Sequence, residues 1–133
     1  MTSESTPDRA LVVDDDETTR DFCSFVLTRA GFSVESARDG LTALRLLQAG
    51  GFAVAVCDIR MPMLDGLSVV RNMQKHDLRC PIILITANED PATRRQAEAL
   101  GAQFLQKPIT EAALRHAVSR ALPGRLSPGG LPG

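Results

Sequence analysis

Ala10-Leu11-Val12-Val13-Asp14-Asp15-Asp16-Glu17 sets four consecutive apolar residues directly against four acidic ones. A run that is apolar at every position suits a strand covered on both faces, as in the interior of a parallel sheet flanked by helices. Phe52-Ala53-Val54-Ala55-Val56 and Ile82-Ile83-Leu84-Ile85 read the same way. Phe32-Ser33-Val34-Glu35-Ser36 instead alternates, and Gln103-Phe104-Leu105-Gln106 is short with polar flanks. Those two are expected at the edges of the sheet.

Helix signals fill the intervals. Asp16 is placed to N-cap a helix running to about Ala30 and closed by Gly31. Asp39 is placed to cap Leu41 to Ala49, with Leu41, Leu44 and Leu47 on one stripe and Gly50 beyond. Asp65 precedes a segment carrying Leu67, Val70 and Met73, and Pro91 opens a segment ending near Leu100 and Gly101. Thr110 precedes a last helix whose inward residues are Leu114, Val118 and Ala121, with Glu111 and Arg115 as an i,i+4 pair.

The pattern is a strand and a helix, five times over. Right-handed crossovers, with the second and fifth strands at the edges, leave strand order 2-1-3-4-5. This is an α/β fold: a three-layer α/β/α sandwich on a five-stranded parallel sheet, the flavodoxin-like (βα)5 arrangement. Residues 9–122 are expected to form this domain. Met1 to Asp8 reads as a disordered N-terminus, and 123–133, with three prolines and four glycines, as a tail or linker stub.

Composition excludes several classes. The 133 residues are one domain's worth, 44% hydrophobic and 23% charged. Fifteen basic residues against sixteen acidic ones give a net charge of -1, which argues against binding nucleic acid or a membrane surface through bulk charge. The apolar runs are too short to span a bilayer, and Met1 to Arg9 lacks the apolar core of a signal peptide. There is no Trp or Tyr to stack on bases. Cys23, Cys57 and Cys80 form no close pair, which fits reduced thiols in a cytoplasmic setting. Cys57 and Cys80 read as small buried hydrophobes. Two histidines without Cys or His partners do not make a zinc site.

In such a sheet the site lies beyond the carboxyl ends of the strands. The first strand ends in Asp14-Asp15-Asp16-Glu17, the third in Asp58, the fourth in Thr86-Ala87 and the fifth in Lys107-Pro108. Each has a plain explanation alone: Asp16 and Asp65 as helix caps, Thr86 as strand packing, Lys107 as a solvated amine. Asp14 and Asp15 cannot both be caps, and the joint placement of all four points at one rim needs more than chance. Two like charges about 4 Å apart repel by roughly 4 kcal/mol at an effective dielectric near 20. Asp14, Asp15 and Asp58 with Lys107 sum to -2. A divalent cation brings that to zero, and an oxygen-only donor set suits Mg²⁺ or Mn²⁺. A cation, an amine and a hydroxyl around one carboxylate also suit a phosphoryl group.

The chain resembles the receiver domains of two-component response regulators from Ala10 to about Leu122. The resemblance rests on four motifs in order: Leu11-Val12-Val13-Asp14-Asp15-Asp16-Glu17; Val56-Cys57-Asp58-Ile59-Arg60-Met61-Pro62-Met63-Leu64-Asp65-Gly66; Ile85-Thr86-Ala87; and Gly101-Ala102-Gln103-Phe104-Leu105-Gln106-Lys107-Pro108-Ile109. It implies that Asp58 accepts a phosphoryl group from a phosphohistidine of a sensor histidine kinase or phosphotransfer protein. It implies Mg²⁺ on Asp15 and Asp58, with Asp14 helping through water and the Arg60 backbone carbonyl as a further ligand. Many members carry Asn at the position of Arg60. Lys107 would pair with the phosphoryl oxygens and Thr86 would hydrogen-bond to them, while Asn88 and Arg60 would tune dephosphorylation. Phe104 stands at the aromatic switch position, and ring packing alone explains it equally well. A cis Lys107-Pro108 bond is also implied.

The segment Pro91 to Leu100 has one large apolar residue, Leu100, so its docking should be weak. This helix, the fifth strand and the last helix are the expected output face, toward a downstream effector domain or partner or a second copy of the chain. The domain is expected to be a cytoplasmic signalling acceptor rather than an enzyme with a substrate pocket, without direct nucleic-acid or membrane binding.

Two other readings fit parts of the chain. Asp14-Asp15-Asp16-Glu17-Thr18 matches the D-x-D-x-T motif of haloacid-dehalogenase-like phosphatases, with Asp14 as nucleophile. That reading needs an acidic pair after Lys107, where only Glu111 follows, and gives Asp58 no role. A non-phosphorylated receiver-like interaction module would not need the full set of acidic and lysine positions that this chain keeps.

Overall fold

Every apolar run becomes a strand and every capped segment a helix: β1 (Arg9–Val13), α1 (Glu17–Arg29), β2 (Ser33–Ala37), α2 (Gly40–Ala49), β3 (Phe52–Asp58), α3 (Gly66–Lys75), β4 (Ile82–Thr86), α4 (Pro91–Ala99), β5 (Gln103–Gln106) and α5 (Glu111–Ala121). The structure, a computed structural model, describes residues 7–87 and 90–123. The expected disordered N-terminus up to residue 6, Asn88, and the Pro/Gly-rich tail from residue 124 lie outside the described residues. Asp8, assigned to that N-terminus, accepts the Ser33 N–H through its backbone carbonyl at 2.8 Å, so the folded unit takes in Asp8.

The strands form one parallel sheet in the order β2-β1-β3-β4-β5. The helices start where the capping residues stand. Asp16, Asp39, Asp65 and Thr110 accept the backbone N–H three residues on, in α1, α2, α3 and α5. Asp90 caps α4 through the Ala92 N–H, with Pro91 at its first position. Among the described residues, no helix is long and apolar enough to cross a membrane.

Side chains alternate across each strand and so build two cores. On one face Leu11, Val13, Ala55, Cys57 and Leu84 pack under α2, α3 and α4. On the other, Ala10, Val12, Val54, Val56, Ile83 and Ile85 pack under α1 and α5. The expected stripe of α2 is corrected. Leu41 is 49% exposed, and the buried residues are Gly40, Ala43 and Leu47. Capping by Asp39 starts the helix at Gly40 and turns Leu41 outward, while Gly40 passes against the backbone of Leu64. Cys80 is half-buried rather than enclosed, because it precedes β4 at the foot of the sheet.

The connection from β3 to α3 sets the rim of the site. Met63 turns the chain with φ 72, and the Leu64 N–H closes the turn on the Pro62 carbonyl at 2.8 Å. Gly66 then lands against β3. A Cβ there would sit 2.6 Å from the Asp58 carbonyl oxygen and 3.0 Å from the Ile59 Cα, both backbone atoms that cannot yield cheaply. Gly66→Ala should therefore cost about 1–3 kcal/mol of stability, measured by urea denaturation; an unchanged midpoint would show that α3 is free to move off β3.

Candidate functional site

Parallel strands end together, so the residues after β1, β3, β4 and β5 meet on one rim. The Asp14 N–H still donates to the Ala37 carbonyl, 3.1 Å away, which anchors it to the ladder. Its side chain is wholly buried. Oδ1 accepts the Asp16 N–H at 2.9 Å, Oδ2 lies 3.0 Å from Lys107 Nζ, and the Asp14 carbonyl accepts from Arg20 at 2.8 Å. Asp16 is spent on the helix cap, accepting from both the N–H and the hydroxyl of Thr19. Asp15 is exposed at the rim.

Asp58 closes β3 and is 4% exposed. Its Oδ1 accepts the Arg60 N–H at 3.3 Å, and its Oδ2 lies 3.6 Å from the same Lys107 Nζ. Among the described residues, Asp14, Asp15 and Asp58 form the group whose carboxylate oxygens lie within 4.8 Å of one another. An all-oxygen cluster of this charge fits a hard divalent cation. Burial, and then the Asp14 charge, push the Asp58 carboxyl up to about 6, against the pull of Lys107 and the Arg60 N–H. For Lys107, burial works to lower its value, but Asp14 and Asp58 outweigh it and hold the ammonium charged.

Thr86 and Phe104 occupy the opposite parity. Thr86 ends β4 two residues after Leu84, and Leu84 belongs to the core under α4. Phe104, paired with Leu84 across β4 and β5, packs half-buried against that same core. Lys107 follows on the strand and donates its N–H to the Thr86 carbonyl at 2.8 Å. Its bond to Pro108 is cis. The backbone N–H of Arg60 is turned toward Asp58, while its side chain is exposed. Two arginines escaped sequence reasoning, Arg20 beneath the acidic loop and Arg94 over the Phe104 ring, since neither stands at a local spacing that announces its contact. The thiols stand apart from this chemistry: burial pushes Cys23 up to about 12 and Cys80 to about 11, and raises Cys57 as well.

The sequence model of the response regulator receiver domain matches residues 10–119. The chain belongs to the response-regulator receiver family. This receiver is 39% identical over 123 residues to the response regulator MprA of Mycobacterium sp. (strain KMS), covering 92% of the chain and 53% of MprA. It is 34% identical over 119 residues to the transcriptional regulatory protein FixJ of Bradyrhizobium diazoefficiens, covering 89% of the chain and 58% of FixJ. The chain thus spans a little over half the length of these relatives. Its fold matches the signal receiver domain of the putative response regulator NarL from Mycobacterium tuberculosis with a TM-score of 0.81 and 34% identity, over 91% of this chain and all of that one (100%).

Receiver domains are signalling domains that act as phosphorylation switches and bind a divalent cation at an acidic pocket. The two other readings lose their ground here. As a nucleophile Asp14 is poorly placed, being wholly buried behind the rim with its Oδ2 out of reach of solvent, and that reading leaves Asp58 without a role, whereas the acidic and lysine positions of a receiver converge here.

The raised carboxyl has a measurable cost in metal-free solution. The folded value of about 6 lies above the ordinary 3.8, so the folded chain holds the proton more tightly than the unfolded chain. Stability should therefore fall as pH rises between those two values, by about 1–3 kcal/mol in all. In EDTA at pH 7, Asp58→Asn should be more stable than the parent by that amount in chemical denaturation, with the difference shrinking at pH 4 or on adding Mg²⁺. Equal stability at both pH values would contradict the charge repulsion described.

Proposed function

We propose that Asp58 is the phosphoacceptor of this receiver, taking a phosphoryl group from the phosphohistidine of a sensor kinase or phosphotransfer protein. The observation that supports it most is the Asp58 carboxylate, almost wholly buried yet reached from the rim, beside two further carboxylates and one ammonium. In the transfer a carboxylate oxygen of Asp58 bonds to phosphorus as the bond from phosphorus to the donor nitrogen breaks, and that nitrogen keeps the electron pair. Asp14, Asp15, Asp58 and the Arg60 backbone carbonyl would hold Mg²⁺, or Mn²⁺ in its place, which when bound offsets the charge of the incoming phosphoryl oxygens.

The chain's own groups do the rest. Lys107, already 3.6 Å from Asp58, turns from the carboxylates to the phosphoryl oxygens. Thr86 supplies the hydroxyl donor, and Phe104 relays its movement to the face of α4, β5 and α5. That face holds a groove of about 420 Å³ lined by Arg94, Glu98, Phe104, His116 and Arg120. It is the surface offered to an effector, in the same protein or a separate one, or to a second copy. The setting for this exchange is the cytoplasm, and the chain's catalysis extends no further than assisting its own phosphorylation and dephosphorylation.

Acetyl phosphate with Mg²⁺ tests the assignment. The intact mass should increase by one phosphoryl group, lost in Asp58→Ala and in EDTA. Lys107→Ala should slow labelling by about 100-fold, as expected for removing a charge-stabilising donor. Labelling that survives Asp58→Ala but disappears in Asp14→Ala would move the acceptor to Asp14.

A further inference from the structure

The helix α4 is tethered to the sheet by very little. Ala97 is its one buried residue. Leu100, at its C-terminus, packs in part on the core, and its carbonyl accepts from Gln74 of α3 at 2.6 Å. In the middle of the helix, Arg94 places its guanidinium 5.0 Å from the centre of the Phe104 ring. A guanidinium within about 6 Å of a ring centroid is attracted to the ring face. The contact joins the least anchored helix to the aromatic residue that shares a sheet face with Thr86.

We infer that Arg94 is a positioning residue that latches Phe104 in its resting place, so that this cation–π contact opposes activation at Asp58. The inference rests on the reading of Asp58 as phosphoacceptor and Phe104 as relay. If Phe104 must move when Thr86 engages a phosphoryl group, the movement takes the ring away from Arg94. The contact then stabilises only the resting form, and by linkage it weakens every ligand that favours the active form. Arg94 itself is exposed and lines the groove beside Phe104, His116 and Arg120, among which no acceptor group stands, so its replacement leaves those groups as they are.

The test uses beryllofluoride with Mg²⁺ as a phosphoryl mimic, titrated by ¹H–¹⁵N NMR. Arg94→Met keeps the aliphatic stem and removes the charge. It should bind beryllofluoride about 2- to 5-fold more tightly than the parent, the reach of an exposed cation–π contact, and Arg94→Lys should fall between the two. In a Phe104→Leu background the same change should have no effect, which a merely structural role of Arg94 would not produce. Unchanged or weaker binding in Arg94→Met, or an equal gain without the ring, overturns the latch and leaves the Asp58 assignment standing. Failure of the parent chain to bind beryllofluoride overturns both.

Discussion

One ammonium serves two buried carboxylates. Lys107 Nζ lies 3.0 Å from Asp14 and 3.6 Å from Asp58, and Asp15 adds a third negative charge within reach. A buried pair can offset its own desolvation, but an excess of like charge cannot. The resting site is therefore electrostatically incomplete, with Asp58 as the group that registers the shortfall. The tight turn at Met63, the close approach of Gly66 to the Asp58 carbonyl and the ladder bond of Asp14 to Ala37 hold these groups together against their repulsion. The stability that the cores provide is what permits the strain.

The pleat of the sheet divides the work. Asp14, Asp58 and Lys107 continue strand positions that alternate with Val13, Cys57 and Gln106, so they belong with the α1/α5 face. Thr86 and Phe104 have the other parity and belong with α4. Charge is thus gathered on one side of the strand ends, and Thr86 and Phe104 stand on the other. The backbone bond from Lys107 N–H to the Thr86 carbonyl crosses between them. That second side meets α4, the helix with a single buried residue, Ala97. A weakly docked element beside a charge-frustrated site is where a small change in charge can shift a population.

Much of this was legible along the chain because each signal was local. Continuous against alternating apolar runs separated central strands from edges, and that alone placed Asp14, Asp58, Thr86 and Lys107 on one rim. The capping residues were equally plain, since a cap is a contact across three residues. Leu41 was misread because leucine spacing alone does not fix helix phase when the true seam runs through Gly40 and Ala43. Cys80 was misread because an apolar neighbour does not show that its end of the sheet is open. Arg20 under Asp14 and Arg94 over Phe104 were invisible, because contacts between elements leave no spacing to read. The preference of Lys107 for Asp14 over Asp58 is a matter of tenths of an ångström that no pattern carries.

The chain spans a little over half the length of MprA and of FixJ, and under the proposed switch its consequence is delivered through whatever meets the α4, β5 and α5 face. The claim that charge at the rim is read on that face is tested most directly by peptide-resolved hydrogen exchange. The parent chain and Asp58→Ala would each be compared with and without beryllofluoride and Mg²⁺. The account predicts altered protection in residues 91–106 of the parent chain alone. Beryllofluoride bound at Asp58 with no change in that segment would contradict it.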